Sequence, residues 1–440
     1  MDNRVNRREF MKTASAAGLG LSIANFPVHG NNAPSETLVA GVVGVRSRGT
    51  QLAKDIVAIQ GMTVGYMCDV DDEYLEKSIE DIGELQKKKP VGFKDMRKLF
   101  EQKDLDVVFI ATPDHWHAPA AIMALQAGKH VYVEKPCGHN PREGELLVEA
   151  QMKYGGLVQL GNQRRSSPEL IQSIKEIKEG IIGKPYFAKA WYANRRASID
   201  VGKVVPVKKG LDWDLFQGPA PRTPYRDNVH PYNWHWFWRW GTGEICNNGT
   251  HSIDVCRWAL GVDIPVKVTS SGGRYHFDDD WEFCDTQVAS FEFEEGKAIS
   301  WEGRSCNDKR LEGAGVGVII NGTEGTAVIL DSKHEFYDIG EKLVKTVELG
   351  GETDTTNLVS GGSLTQRHIA NLRDGITKEE ALKSPIVDGA ISVLMCHLGN
   401  IAQKTGHTLN LNPKTGNIIN DPEAMKMWSR QYEPGWEPKV

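Results

Sequence analysis

The chain has 440 residues, of which 40% are hydrophobic and 25% are charged, and its formal net charge at pH 7 is −6. That length allows two or three domains, and the negative charge disfavours nucleic acid and anionic membrane surfaces as partners. The seven cysteines show no Cys-x-x-Cys spacing, and an odd count in a chain this large does not describe a disulfide framework. We interpret them as mostly buried small apolar residues.

The N-terminal segment has the features of an export signal. The pair Arg7-Arg8 is followed by Phe10 and then by a small, weakly apolar stretch at residues 13–26, which is too short and too polar to cross a membrane. We therefore predict a twin-arginine signal at residues 1–35, a periplasmic location reached in the folded state, and no membrane span. A disordered basic tail is the alternative interpretation.

The next hundred residues alternate between strand and helix patterns. Strands are predicted at Thr37–Val43, Met62–Asp69, Asp106–Ala111 and His130–Val133, and helices at Thr50–Gln60, Asp72–Lys88, Lys94–Gln102 and Ala118–Ala127. Such alternation indicates a parallel, doubly wound sheet that is covered by helices on both faces. We predict a Rossmann-type α/β domain at residues 36–161.

Beyond residue 161 the pattern changes. Strands are predicted at Tyr186–Asn194, Thr286–Glu294, Lys297–Gly303, Gly315–Asn321 and Thr326–Leu330, with glycine turns between them, and helices at Leu170–Glu179, Leu364–Asp374 and Ala390–Lys404. These segments indicate a C-terminal α+β domain at residues 162–440, built on a largely antiparallel open sheet. The last two helices are expected to close this second domain.

A glycine-rich turn separates the first strand from the first helix. Gly44 and Gly49 have the spacing of the first and last glycines of a dinucleotide-binding fingerprint, and Arg46 stands where the second glycine is expected. The N-terminus of the following helix would add backbone amides and the helix dipole, and Ser47 of the turn is a further candidate for cofactor contact. Arg46 or Arg48 could contribute a guanidinium to the phosphates of the cofactor. A turn without a ligand is the alternative.

Two later strand ends complete the expected cofactor site. Asp69 lies 20 residues after Gly49, where a carboxylate can accept hydrogen bonds from ribose hydroxyls and repel a 2′-phosphate, so NAD is favoured over NADP. Thr112 and Pro113 follow the third predicted strand. Trp116 and His117 precede the predicted start of the next helix and can therefore face the ligand.

The run from Val131 to Pro136 ends a strand with Glu134 and Lys135. Strand ends of an open α/β sheet point into the crevice where ligands bind, so this charged pair should face whatever the glycine-rich turn holds. A charged pair beside a dinucleotide suggests hydride transfer. His115 and His117 have no acid or thiol at ligand spacing beside them, and we predict no metal site.

The second domain contains candidate substrate residues. Sugars present apolar faces that stack on aromatic rings, and an aromatic-rich segment at residues 212–240 includes Trp238 and His235 as candidates for substrate contact. An aromatic core under a long loop, or an oligomer interface, is an equal alternative. Arg164 could bind substrate hydroxyls or a carboxylate, with a solvated charge as its alternative.

Four motifs together resemble the Gfo/Idh/MocA family, named for glucose-fructose oxidoreductase and inositol dehydrogenase. They are Gly44 to Gly49, Thr112-Pro113-x-x-Trp116-His117, Glu134-Lys135-Pro136, and Gly241-Thr-Gly243 leading into Gly249-Thr-His251-Ser-Ile-Asp254. The resemblance implies NAD(P)-linked chemistry on sugars, cyclitols or their derivatives. It also implies a homo-oligomer, a dimer or tetramer, that assembles through the C-terminal sheet.

The same resemblance implies the catalytic roles. Lys135 would lie between the nicotinamide ribose and the substrate, and His251 would be the base for the reacting hydroxyl. Asn247 stands where many members carry an aspartate, four residues before this histidine. Asp254 is interpreted as a structural residue of the helix or interface.

These expectations define three candidate functions. The first is oxidation of a sugar, glycoside or cyclitol hydroxyl by hydride transfer to a tightly held nicotinamide, because free NAD is scarce outside the cytoplasm. The second is a redox-neutral NAD-dependent glycosidase that oxidises the sugar, eliminates its substituent and reduces it again. The third is a non-catalytic periplasmic sugar-binding protein.

Overall fold

The computed structural model describes residues 37–349 and 363–440. The predicted export signal at residues 1–35 lies outside the described residues.

The first domain is a six-stranded sheet with strand order β3-β2-β1-β4-β5-β6, and all of its neighbouring strands are parallel. Its strands are β1 (Leu38–Val43), β2 (Met62–Cys68), β3 (Val91–Phe93), β4 (Val107–Ile110), β5 (His130–Val133) and β6 (Val158–Leu160). Its helices are α1 (Arg48–Val57), α2 (Asp72–Gln86), α3 (Met96–Phe100), α4 (Asp114–Gln126) and α5 (Pro141–Tyr154). The predicted doubly wound sheet is confirmed, with the short strands β3 and β6 in addition. The strand order reverses between β1 and β4, and such a switch point opens a crevice at the carboxyl ends of the strands.

Helix α4 begins earlier than predicted. It starts at Asp114, not at Ala118, so His115, Trp116 and His117 form its first turns instead of preceding it. A proline at position 119 removes one backbone donor from the helix, and the carbonyl of His115 instead accepts a hydrogen bond of 2.7 Å from Arg430. This distant arginine stabilises the early start, and a local pattern does not reveal it.

The second domain is a nine-stranded sheet with strand order β14-β13-β12-β11-β7-β10-β9-β8-β15. Its strands are β7 (Pro185–Ala193), β8 (Lys267–Gly273), β9 (Thr286–Glu292), β10 (Ala298–Arg304), β11 (Val316–Gly322), β12 (Gly325–Leu330), β13 (Lys333–Asp338), β14 (Leu343–Glu348) and β15 (Leu409–Asn410). The pair β7–β10 is parallel and the other pairs are antiparallel, which confirms the largely antiparallel sheet. Strands β8, β13, β14 and β15 were not predicted.

The remaining helices are α6 (Pro168–Lys178), α7 (Trp213–Gln217), α8 (Thr250–Leu260), α9 (Ser363–Lys378), α10 (Ile386–Thr405) and α11 (Pro422–Lys426). The expectation that α9 closes the second domain is wrong, because Ile369 and Leu372 pack into the core of the first sheet. Helix α10 joins both cores, with Ile391 in the first and Leu398 in the second. Apolar periodicity marks which face is buried but not which sheet covers it.

Helix α10 is also long and apolar enough to cross a membrane by composition, but 89% of its apolar window is buried inside the protein. This burial identifies it as a core helix among the described residues. All seven cysteines are free thiols, and all except Cys284 are buried, which confirms their interpretation as small apolar residues.

Candidate active site

A cavity of about 390 Å³ lies where the switch point of the first sheet meets the second domain. Volumes of this size are typical of small-molecule sites. Most of the predicted site residues line it: Gly44, Arg46, Ser47, Arg48, Asp69, Thr112, Pro113, Trp116, His117, Glu134, Lys135, His235, Asn247 and His251. The two domains therefore bring the predicted cofactor residues and the predicted catalytic residues to one site.

The glycine-rich turn is built for close backbone approach. Gly44 has φ +82°, and a Cβ there would lie 2.6 Å from the carbonyl oxygen of Ala111 on the neighbouring strand. Gly49 does not line the cavity, but a Cβ there would lie 1.9 Å from the carbonyl oxygen of Gly44. Ser47 precedes α1 without a side-chain capping bond, and both Ser47 and Arg48 line the cavity, so the first amides of that helix lie beside the cavity without a side-chain cap. Such an amide cradle suits the pyrophosphate of a dinucleotide.

Asp69 lies directly after β2 and lines the same cavity. Its Oδ2 accepts a hydrogen bond of 2.7 Å from the backbone amide of Val45, and its Oδ1 accepts one of 3.0 Å from that of Asp71. Burial raises the pKa of Asp69 to about 6, although these amides oppose the shift. The carboxylate is thus held at a fixed place beside the glycine-rich turn, and the residues present fit an adenosine ribose and NAD.

The two arginines of the turn have different partners. The Nε of Arg48 donates a hydrogen bond of 2.7 Å to Oε1 of Glu134, so the guanidinium joins the turn to the end of β5. Burial would raise the pKa of Glu134, but Arg48 and Lys135 lower it below its usual value. The guanidinium of Arg46 lies 5.8 Å from the ring centre of Tyr74 and 5.7 Å from that of Tyr232, which come from different domains.

The first turns of α4 are tied to backbone groups. The ring nitrogens of His117 lie 2.6 Å from the carbonyl oxygen of Pro136 and 2.8 Å from that of Thr112. The indole nitrogen of Trp116 donates to the carbonyl oxygen of Leu215 at 3.1 Å. These contacts hold the floor of the cavity and connect it to the second domain.

The catalytic candidates meet at the domain boundary. The Nζ of Lys135 donates hydrogen bonds to the backbone carbonyl oxygen of Asn247, at 2.6 Å, and to its Oδ1, at 2.9 Å. Asn247 belongs to a π-helical turn, Ile245–Gly249, that leads directly into α8. Such turns occur often at functional sites because they displace side chains from the regular helical positions. Here the turn brings Asn247 to the end of β5.

His251 is the second residue of α8 and is 3% exposed. Neither ring nitrogen has a hydrogen-bond partner within residues 37–349 and 363–440. Burial, with a further contribution from the charge of Lys135, lowers its pKa well below the usual value. A neutral imidazole that lines the cavity can accept a proton from a substrate hydroxyl.

Sequence reasoning missed one wall of the cavity. Tyr192 lies near the end of β7 and Asn194 follows that strand directly, and Arg196 and Asn248 also line the cavity. Arg196 forms an ion pair with the buried Glu244, with 2.6 Å between Nε and Oε2. The only local signal was a polar run, Asn194-Arg195-Arg196, at the end of a predicted strand.

Arg164 and Trp238 are not brought to this cavity. The guanidinium of Arg164 pairs with Asp331 at 2.6 Å and borders a separate cavity of about 70 Å³. The ring of Trp238 packs on Phe283, with 3.9 Å between ring centres. Most of the aromatic segment forms a buried cluster of its own, which favours the interpretation as an aromatic core.

His235 does line the cavity. Its ring stacks on Trp234 with 3.5 Å between ring centres, and Nδ1 lies 2.7 Å from the carbonyl oxygen of Tyr232. Asp254 pairs with Arg165 at 2.6 Å and 2.8 Å, away from the cavity, as its structural interpretation expects. Within the part of the chain that the structure describes, no group of three or more His, Cys, Asp or Glu side chains could hold a metal ion.

A segment of the second domain crosses to the end of the cavity where Asp69 lies, and we name residues 208–218 the cofactor strap. The strap lies along the loop after β2, and this loop carries Asp69. Three contacts join them: Lys208 Nζ to Asp71 Oδ2 at 2.8 Å, the amide of Asp72 to the carbonyl of Gly210 at 3.2 Å, and the amide of Asp212 to the carbonyl of Val70 at 2.9 Å.

Comparison with protein families gives two matches. The family described as "Oxidoreductase family, NAD-binding Rossmann fold" (GFO_IDH_MocA) matches residues 38–162. Its companion, "Oxidoreductase family, C-terminal alpha/beta domain", matches residues 201–411.

Curated relatives match with low identity. A glycosyl hydrolase family 109 protein of Saccharopolyspora erythraea is 26% identical over 256 residues, which cover 51% of this chain and 56% of the relative. An alpha-N-acetylgalactosaminidase of Shewanella oneidensis is 26% identical over 213 residues, which cover 43% of this chain and 46% of the relative. The chain thus spans about half the length of the curated relatives it matches.

Solved structures share the fold over most of the chain. A levoglucosan dehydrogenase in complex with NADH and levoglucosan superimposes with a TM-score of 0.66 at 19% identity, covering 85% of this chain and 99% of that chain. The WlbA dehydrogenase from Bordetella pertussis, in complex with NADH and UDP-GlcNAcA, superimposes with a TM-score of 0.64 at 18% identity, covering 86% and 99%.

Proposed function

The chain belongs to the Gfo/Idh/MocA oxidoreductase family and has its NAD-binding Rossmann domain, and we propose that it oxidises or reduces a hydroxyl-bearing carbon of a sugar, glycoside or cyclitol. The observation that carries this proposal is the meeting of Lys135, Asn247 and His251 at the inner end of the cofactor crevice. A cation and a neutral base at one point are what removal of a hydroxyl proton requires.

The roles follow from the contacts. NAD, when bound, supplies the hydride acceptor for the carbinol carbon. His251 takes the hydroxyl proton on a ring nitrogen, since burial keeps its imidazole neutral. The ammonium of Lys135 stabilises the negative charge that develops on the oxygen. Its two bonds to Asn247 hold it at the boundary between the cofactor crevice and another part of the cavity lining. We name that part the substrate wall, and it consists of Tyr192, Asn194, Arg196, Tyr232, Trp234, His235 and Asn248.

The substrate wall supports a neutral, hydroxyl-rich ligand. Tyr232, Trp234 and His235 offer ring surfaces for the apolar face of a sugar. The amides of Asn194 and Asn248 can donate to hydroxyls and accept from them. The charge of Arg196 on this wall is balanced by the buried carboxylate of Glu244. This balance favours neutral sugars over acidic ones.

A redox-neutral glycosidase is the second candidate, and the names of the curated relatives favour it. In that reaction oxidation of a ring hydroxyl to a ketone acidifies the neighbouring C–H. Loss of that proton expels the glycosidic oxygen, water adds to the resulting double bond, and return of the hydride restores the hydroxyl. Lys135 and His251 would serve the oxidation and reduction in the same way as in the first candidate.

The proposal includes export and cofactor retention. The residues at positions 7–12 favour export to the periplasm by the twin-arginine route, where a retained NAD would be reoxidised in place by a second substrate. The cofactor strap supports retention because it ties the second domain to the loop that carries Asp69. Assembly into a dimer or tetramer through the nine-stranded sheet is also part of the proposal.

The first experiment measures retained cofactor. The exported protein is purified without added nucleotide and denatured, and the supernatant is assayed for NAD(H) and NADP(H) by mass spectrometry. Near-stoichiometric NAD is the expected result. Protein that carries no nucleotide and gains none when incubated with NAD would overturn the proposal and favour a sugar-binding protein.

The second experiment separates the two reactions. The loaded protein is incubated with free aldoses, cyclitols and nitrophenyl glycosides, and both NADH and nitrophenol are measured. NADH formation from a free sugar, or aldose reduction coupled to oxidation of a second sugar, supports the oxidoreductase. Nitrophenol release without net NADH, with deuterium from heavy water entering the sugar ring, would assign the glycosidase.

A further inference from the structure

Glu244 is a buried carboxylate directly behind the Lys135–Asn247 pair. It precedes the π-helical turn Ile245–Gly249, is 3% exposed and is not among the residues that line the cavity. Resting on the proposed function, we propose that Glu244 is a positioning residue. It orients both the Lys135 ammonium and the phenol groups of Tyr192 and Tyr232 on the substrate wall.

On one side Glu244 sets the orientation of an amide. Its Oε1 accepts hydrogen bonds from the side-chain nitrogens of Asn248 and, at 3.4 Å, of Asn247. An asparagine side chain has one donor end and one acceptor end. With Nδ2 of Asn247 turned to the carboxylate, Oδ1 faces Lys135 and accepts its bond of 2.9 Å. A carboxylate cannot donate, so Glu244 disfavours the flipped amide, in which Nδ2 would oppose the ammonium.

On the other side Glu244 holds the substrate wall. It pairs with Arg196 at 2.6 Å and 3.2 Å, and Ser305 donates a bond of 3.0 Å to its Oε2. Arg196 in turn donates to the phenol oxygens of Tyr232, at 3.1 Å, and Tyr192, at 3.3 Å. Burial alone would lower the pKa of Arg196, but the charge of Glu244 raises it well above the usual value. The carboxylate of Glu244 therefore links Lys135 and Asn247 to the phenol groups of Tyr192 and Tyr232.

The charge of Glu244 also acts on Lys135. Burial lowers the pKa of Lys135, and the carboxylates of Glu134, Asp114 and Glu244 oppose that shift. The other charged or titratable groups that face the ammonium are Arg48 of α1, His251 of α8 and His235 of the aromatic segment. Removing the charge of Glu244 weakens the opposition and lowers the pKa of Lys135 further.

The test compares Glu244→Gln and Glu244→Asp with the wild type. Glu302→Gln is the matched control, because Glu302 pairs with Lys189 at 2.9 Å on the nine-stranded sheet, outside the cavity lining. The pKa of Lys135 is measured by competitive acetylation with acetic anhydride across pH, followed by mass spectrometry of its peptide. This readout needs no substrate and no turnover.

In Glu244→Gln we expect the pKa of Lys135 to fall below that of the wild type, because a carboxylate that opposes the effect of burial is lost, and kcat to fall about tenfold or more. Bound NAD should stay at the wild-type level, since no contact of Glu244 reaches Asp69 or the glycine-rich turn. Glu244→Asp keeps the charge on a shorter side chain, so its Lys135 pKa and its kcat should lie between those of the wild type and of Glu244→Gln. This variant provides the test if Glu244→Gln does not fold.

An unchanged Lys135 pKa in the folded variants, or an equal shift in Glu302→Gln, would overturn the positioning role. Failure of the proposed function gives a different result. In that case wild-type protein catalyses no hydride transfer, while the acetylation experiment still reports whether Glu244 controls Lys135.

Discussion

The side chain of Lys135 reaches across the domain boundary to Asn247, which is 112 residues away in the chain, and donates to both its backbone carbonyl oxygen and its Oδ1. The first contact depends only on the backbone of the π-helical turn, whereas the second depends on the side chain. The lysine is thus positioned by the fold of the second domain as well as by its own strand, and this places the ammonium where the proposed reaction needs it.

Replacing Lys135 by methionine should remove most of the activity. We expect kcat to fall by about 10²–10⁴-fold, because a half-buried cation that stabilises developing negative charge is lost. The measurement is steady-state turnover of the best substrate from the glycoside and aldose screen. Lys189→Met on the nine-stranded sheet is the control and should retain wild-type turnover. Equal turnover of both variants contradicts a catalytic role for Lys135.

The affinity for NAD should depend on the protonation of Asp69. Its raised pKa, about 6, means that the carboxylate is ionised above that pH and protonated below it. Only the ionised form can accept hydrogen bonds from both ribose hydroxyls. The dissociation constant should therefore rise as the pH falls below about 6, approaching a tenfold change per pH unit.

Calorimetric titration of NAD into cofactor-free protein checks this pH effect. It is carried out between about pH 5 and pH 8, the range in which the Asp69 carboxylate titrates. In Asp69→Asn the affinity should be weak and nearly independent of pH over that range. A wild-type affinity that is constant through the titration of Asp69 rules out this role.

Gly44→Ala should cost more stability than an equivalent change in open space. Gly128 also has a positive φ, +75°, but a Cβ there meets nothing within 4 Å, so Gly128→Ala bears only the left-handed strain of about 1–2 kcal/mol. Gly44→Ala adds the clash with Ala111, about 1–3 kcal/mol more. Thermal unfolding of both variants without cofactor measures the difference in their stability. Of the two variants, only Gly44→Ala should lose the ability to bind NAD. Equal losses of stability would show that the turn is not sterically constrained.

The cofactor strap should slow the release of NAD. Lys208→Met removes the ion pairs with Asp71 and Glu73, both at 2.8 Å. The rate of NAD dissociation should rise about fivefold, which corresponds to about 1 kcal/mol for a partly exposed ion pair. Stopped-flow displacement measures this rate. Lys98→Met, which removes an exposed pair between Lys98 of α3 and Glu101 directly after that helix, is the control and should leave the rate unchanged.

The sequence predicted the parts of the site that depend on local pattern. Alternating apolar strands and helices indicated the first sheet, and residues at the ends of its strands, such as Asp69 and Lys135, line one crevice because parallel strands end at the same edge. Gly44 was recognisable because only a glycine readily adopts the required positive φ beside a neighbouring strand. His251 came from the resemblance to the family, not from any periodicity.

The tertiary structure alone decided which distant side chains meet. Nothing near Glu244 in the chain indicates that it pairs with Arg196, and nothing near Arg164 indicates that Asp331 holds it outside the main cavity. The aromatic segment is apolar enough for either a sugar surface or a core, and packing against Trp281 and Phe283 buried most of it. Local sequence determines backbone conformation and the buried face of each element, whereas ion pairs and shared walls form between residues that only the packing of whole sheets and helices brings within bonding distance.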